Sequence, residues 1–286
     1  MLPGFAPLAE RYDAFILDLW GVIHDGSRAY PHAVATLERL RGTGKPTVLL
    51  SNAPRRGHAL VQGMEAMGIP RRLYGDILSS GEAVNRELRL RRDPFYAALG
   101  PLCYHLGPER DRSIFDDVRV TLVAEVNAAS FIVNTGPREF SETVDDYEHI
   151  LQACAARSLP MVCANPDRVV IREGKRLVCA GALADRYIAL GGRVSQRGKP
   201  DPAVYDLCLE MLNAPDRRRV LTVGDAMETD IAGATAAGID SVLVTGGIHA
   251  EELGVAYGEP ASPVAVAALA RRFGLGPAAA IPAFIW

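Results

Sequence analysis

Apolar positions follow two rhythms along this chain. Short runs with little polar interruption stand at 14–20 (AFILDLW), 46–52 (PTVLLSN), 130–136 (SFIVNTG), 160–166 (PMVCANP), 219–225 (RVLTVGD) and 241–247 (SVLVTGG). Most end in Gly, Asn, Asp, Ser or Thr. Such runs predict strands buried on both faces, as in a parallel sheet. Between them lie stretches with helical spacing, at 33–42, 57–68, 82–91, 147–157, 181–192, 203–213 and 228–238. Several stop at Gly, which terminates helices by accepting a left-handed backbone. Strand–helix alternation predicts an α/β fold. Ligands in such folds bind beyond the carboxyl ends of strands. Here those ends carry Asp18, Ser51, Asn52 and Asp225. The Pro/Ala-rich tail at 277–283 reads as a surface arm, with Phe284, Ile285 and Trp286 free to dock.

Composition narrows the options. The 286 residues are 49% hydrophobic and 23% charged, an ordinary globular mix that excludes wholesale disorder. The formal net charge of −3 gives no global field to hold nucleic acid or an anionic membrane. Short basic clusters (Arg89, Arg91 and Arg92; Arg217 to Arg219) read as solvated faces. Five scattered cysteines without a CxxC pair read as reduced, buried thiols. No signal-peptide pattern opens the chain, and no apolar run reaches the ~20 residues of a spanning helix. The expected location is the cytoplasm, with no membrane partner.

Four strand-end motifs carry chemistry. In DLWGVIHDG, Asp18 can be a nucleophile, a metal ligand or a helix cap. In LLSNAPR, Ser51 and Asn52 can hold an anion at a helix start or simply cap that helix. In RGKPDP, Lys199 can neutralise a phosphate or a carboxylate, or merely be solvated. In LTVGDAMETD, Asp225 and Asp230 can hold Mg²⁺, a hard cation that takes oxygen ligands, or begin a helix whose dipole favours acids. This last spacing is the most specific of the four.

Together and in this order, the motifs resemble the haloacid dehalogenase superfamily of hydrolases. The similarity covers about residues 10–82 and 193–255. Asp18 and Ser51 are 33 positions apart, too few for an inserted domain, whereas Ser51 and Lys199 are 148 apart. A large insertion there marks the class II members. ANPD (164–167) and CAGAL (179–183) look like the class IIA branch of nucleotide, sugar-phosphate and nitrophenyl phosphate phosphatases. The resemblance implies a Rossmann-like parallel-sheet core at 1–82 plus 193–286, with an inserted α/β cap at 83–192. It implies an Mg²⁺-dependent phosphohydrolase acting on a small phosphorylated metabolite. Asp18 would attack phosphorus to form an aspartyl-phosphate. Ser51 and the Asn52 backbone would hold phosphoryl oxygens, and Lys199 would neutralise charge between Asp18 and the phosphate. Asp18, Asp225 and the Trp20 backbone carbonyl would hold Mg²⁺, with Asp230 as a further ligand or as support behind the ligands. Asn165 and Asp167 would lie near the cap entrance or simply make a tight turn. The resemblance also allows a homodimer through the cap, which no residue pattern demands.

One position departs from the family. Its phosphatases carry an Asp two residues after the nucleophile, as acid/base for the leaving oxygen. Here that residue is Trp20. General acid–base catalysis is worth ~10²–10⁴-fold. His24 or Asp25, in the turn that follows, can replace it. A substrate with a good leaving group needs no acid. Two other readings stay open: a dehalogenase-type hydrolase, which attacks carbon with the same Asp, and a non-catalytic binder of a phosphorylated metabolite.

Overall fold

A computed structural model describes residues 1–213 and 216–286. In chain order its strands are β1 (Ala14–Asp18), β2 (Thr47–Ser51), β3 (Asp76–Ser79), β4 (Leu102–Leu106), β5 (Thr121–Val123), β6 (Phe131–Asn134) and β7 (Met161–Cys163). They continue with β8 (Val169–Arg172), β9 (Lys175–Val178), β10 (Val194–Gln196), β11 (Val220–Gly224), β12 (Asp240–Val244) and β13 (Ala279–Ile281). Six form one sheet in the order β13-β12-β11-β1-β2-β3, and every neighbouring pair is parallel. Five form a second parallel sheet in the order β10-β7-β6-β4-β5. β8 and β9 make a separate antiparallel hairpin.

The central strands β1, β2 and β11 are buried along their whole length. Their side chains alternate between two cores, because successive strand residues point to opposite faces. Phe15, Leu17, Leu49 and Val223 enter one core, while Ile16, Val48, Leu50 and Val220 enter the other. The second sheet is likewise covered on both sides, by Tyr104, Ile132 and Met161 on one face and Cys103, Phe131 and Val133 on the other. All five cysteines are buried and unpaired. No helix among the described residues is long and apolar enough to cross a membrane.

Two sequence expectations change. The tail is not a surface arm: β13 is an edge strand of the six-stranded sheet, and Ile281 and Phe284 are fully buried. The second sheet also runs to Gln196 through β10, past the 192/193 boundary expected from the sequence.

Candidate active site

Register brings the motifs together. Asp18 pairs with Leu50, Ser51 with Ser79, Leu17 with Val223 and Gly224 with Leu243. The carboxyl ends of β1, β2 and β11 therefore form one edge. Asp18, Ser51, Asn52, Lys199, Asp225 and Asp230 are all buried there, and all line a single cavity of about 450 Å³.

Lys199 is the electrostatic hub. Its Nζ lies 2.6 Å from Asp18 Oδ1 and 2.7 Å from Asp230 Oδ1. Burial opposes the lysine charge, but Asp18 and Asp230 outweigh it and hold the ammonium well above its usual range. Burial, reinforced by Asp230, pushes the Asp18 carboxyl well up against the pull of Lys199. Burial and Asp230 also raise Asp225 to about 8, although its Oδ2 accepts a 2.7 Å bond from Ile248 N.

Oxygens of Asp18, Asp225 and Asp230 lie within 4.8 Å of one another. Three buried carboxyl groups thus face one ammonium. Ionising all three together would leave a negative excess, which adds to burial in pushing Asp18 and Asp225 up. An all-oxygen donor set of that kind fits a hard divalent cation such as Mg²⁺. Close backbone approach shapes the site. A Cβ on Gly21, whose φ is +81°, would sit 1.9 Å from Asp225 Oδ2; a Cβ on Gly247 would sit 2.2 Å from the same atom. Only glycine fits at either point.

The side chain of Asn52 has a task the sequence did not reveal. Its Oδ1 accepts from Lys199 N at 2.7 Å, and its Nδ2 donates to Lys199 O at 3.0 Å and to Asp167 Oδ1 at 2.8 Å. It therefore clamps the lysine backbone and ties β2 to the ANPD turn. Neither Ser51 nor Asn52 caps the following helix, which begins at Gly57. Ser51 Oγ instead accepts from Ala53 N at 3.2 Å. Asn165 and Asp167 both line the cavity, and burial raises the Asp167 carboxyl.

The turn after β1 is built differently from the expectation. Trp20 lines the cavity, and its Nε1 donates to Ile171 O on β8 at 2.8 Å. His24 and Asp25 are buried but are not among the residues lining the cavity. His24 Nδ1 accepts from Gly26 N, and Asp25 Oδ1 accepts from Ser27 N and Arg28 N. Both side chains fasten the turn. His249 behaves similarly, with Nε2 accepting from Met227 N at 3.2 Å. The cavity also contains residues the sequence did not single out, among them Arg55, Arg110, Asp111, Phe140 and Arg172. No local motif marks them, since they meet only through packing of distant segments.

The fold and site define a Rossmann-like α/β protein with a buried cluster of three carboxyl groups and one lysine at its strand ends. Residues 15–121 match the family model for haloacid dehalogenase-like hydrolases, and 196–270 match a HAD-hydrolase-like model. A haloacid dehalogenase-like hydrolase from Brucella suis 1330 is 32% identical, with a TM-score of 0.84 over 100% of both chains. Human chronophin is 29% identical over 258 residues, 86% of each chain. The 4-nitrophenylphosphatase of Schizosaccharomyces pombe is 25% identical, over 85% of this chain and 87% of that one. The chain belongs to the haloacid dehalogenase-like hydrolases, and these relatives accord with the class IIA branch.

Proposed function

We propose that this hydrolase is an Mg²⁺-dependent phosphatase that cleaves a small phosphorylated metabolite through an aspartyl-phosphate. The observation that carries the reading is the buried constellation of Asp18, Asp225 and Asp230 around Lys199. The names of the relatives, chronophin and 4-nitrophenylphosphatase, support it.

In this reading Asp18, Asp225 and Asp230, with the Trp20 carbonyl, hold Mg²⁺. When bound, the ion neutralises phosphoryl charge and so lets a carboxylate approach a phosphate. The chain does the rest. An Asp18 oxygen forms a bond to phosphorus while the ester oxygen leaves with its electron pair. The Lys199 ammonium offsets the charge of Asp18 and of the phosphoryl oxygens. Ser51 Oγ and the Asn52 N–H donate to those oxygens, and Asn52 Oδ1 keeps Lys199 in place. Water then cleaves the aspartyl-phosphate and restores Asp18. No carboxyl stands at position 20, so proton delivery to the leaving oxygen falls to another group or to water. Good leaving groups should therefore react fastest. We propose further that the five-stranded sheet and its helices act as a cap over the strand ends. The Asn52–Asp167 bond supports that role.

The test is phosphate release from a panel of phosphate esters and acyl phosphates, with Mg²⁺, with EDTA, and with Asp18→Asn. Metal-dependent release that drops at least ~10³-fold in the variant is expected for loss of a covalent nucleophile. Residual rates near wild type would remove Asp18 from that role. Silence across the panel would redirect weight to carbon–halogen hydrolysis, read by halide release, or to a non-catalytic binder.

A further inference from the structure

One part of the cavity lining is built unlike the acidic part. It gathers three guanidiniums, Arg55, Arg110 and Arg172, from three separate segments. Arg55 follows β2, Arg110 lies in the short helix Glu109–Phe115, and Arg172 ends β8. Arg110 and Arg172 hold their Cζ atoms 4.5 Å from the centroid of the same Phe140 ring. The ring is half exposed at 46%, and it orders two cations that would otherwise repel each other.

Little in the protein answers this charge. Among the described residues, Arg110 and Arg172 have no side-chain hydrogen bond and no ion pair. Arg55 has one neighbouring carboxylate, Asp111 Oδ1, 3.4 Å from its Nε. That Nε is buried and makes no hydrogen bond. Arg110 and Arg172 add to burial in disfavouring the Arg55 charge, so the three cations feel one another. Two carboxylates of the lining adjoin these residues in the chain: Asp111, which is buried and follows Arg110, and Glu139, which is exposed and precedes Phe140. Three cations against two anions leave a positive excess, and the donors of Arg110, which is exposed, and of Arg172, which is half-buried, face solvent or a ligand rather than protein acceptors. Each guanidinium presents donors in a planar fork that matches a carboxylate or a phosphate.

We propose that Arg55, Arg110 and Arg172 form a second anion subsite, and that the substrate is a phosphate monoester ending in another anionic group. This rests on the phosphatase reading above and names its substrate class. The phosphoryl group would lie at Asp18 and Lys199, and the second anion at the arginines. Val170 and Val178 of the β8–β9 hairpin line the same cavity and suit a short carbon linker.

The experiment compares matched alkyl phosphates, in a short length series, that end in a hydroxyl, a carboxylate or a second phosphate. The readout is kcat/KM for each anionic tail divided by that for the hydroxyl tail of equal length. A ratio of about tenfold or more is expected at the fitting length, the scale of one charged hydrogen bond. The carboxylate and phosphate arms decide which anion is the partner. In the Arg110→Gln/Arg172→Gln double variant the ratio should fall towards one. Arg119→Gln, which removes one exposed charge outside the cavity, should keep the parent ratio. Ratios near one at every length, with phosphate release intact, would overturn the subsite and leave the phosphatase reading standing. A ratio that survives the double variant would overturn the arginine assignment. Absence of release from every alkyl compound, with acyl or aryl phosphates still cleaved, would overturn the subsite and leave the phosphatase reading standing. Absence of release from those good leaving groups as well would overturn both.

Discussion

At the residue scale, burial decides which groups carry charge. Lys199 stays protonated because two carboxylates touch it, whereas His24 stays neutral because burial outweighs the nearby Asp25. Burial lowers His24 to about 4, and it lowers His105 to about 4 with help from Arg112 and Arg138. The ordinary histidine value is about 6.5. Between those values the unfolded chain binds protons that the folded one does not. The stability these two histidines contribute is therefore whole above about pH 6.5 and is lost as the pH falls towards 4. A shift of that size is worth up to about 3 kcal/mol for one histidine. In His24→Asn, the new Oδ1 can still accept from Gly26 N, but no proton is taken up. The acid decline should become shallower by up to about 3 kcal/mol, measured as urea unfolding free energy across that pH window. An unchanged slope would mean that His24 does not hold its neutral form in the folded protein.

At the element scale, the Trp20 side chain serves architecture. Its Nε1 bond to Ile171 O ties the turn after β1 to the β8–β9 hairpin, and Ser27 Oγ to Glu173 Oε1 at 2.7 Å is a second tie. A neutral hydrogen bond is worth a net ~0.5–1.5 kcal/mol. Trp20→Phe keeps an aromatic ring but loses the donor. Amide hydrogen exchange across residues 169–178 should then quicken by up to about tenfold, with the central sheet unaffected. Equal protection in both proteins would mean that the tie does not hold the hairpin. The sequence showed β1, β2, β6, β7, β11 and β12, because each carries a continuous apolar run, but not β4, an interior strand of the second sheet whose short run is broken by His105. It did not show β8 and β9, whose residues are half-buried or exposed and carry no buried-strand signature. It did not show β13 either, whose alanines become strand only by pairing with β12. The strand-end motifs were legible because each is local. The three cavity arginines were not, because packing of distant segments brings them together. Asn52 was half legible: its position was clear, but its clamp on Lys199 needs a partner 147 positions away.

At the scale of the whole molecule, the two termini close the six-stranded sheet together. Leu2 N donates to Ala280 O at 2.8 Å, and Phe5 N donates to Ile285 O at 2.6 Å. The Phe5 ring meets Phe15, Phe284 and Trp286 edge to face, at 5.2, 5.0 and 6.2 Å between centroids. The same tail reaches the candidate active site through backbone bonds. Thr245 N donates to Ile281 O and Gly246 N to Pro282 O, steadying the loop whose Ile248 N holds Asp225. Side-chain packing and loop support can therefore be separated. Phe284→Ala removes a fully buried ring but leaves those backbone donors and acceptors in place. A buried Phe→Ala change costs ~3–5 kcal/mol, transfer and cavity terms together. The variant should lose that much in denaturant unfolding while its folded fraction still turns over substrate. Ending the chain at Ala278 removes the Ile281 and Pro282 acceptors as well. That protein should need more Mg²⁺ for half-maximal activity than Phe284→Ala does, because Asp225 loses the support of its loop. A Phe284→Ala loss below about 1 kcal/mol would mean that the tail is not part of the core. Equal Mg²⁺ requirements in the two variants would mean that the tail stabilises the sheet without steadying the site.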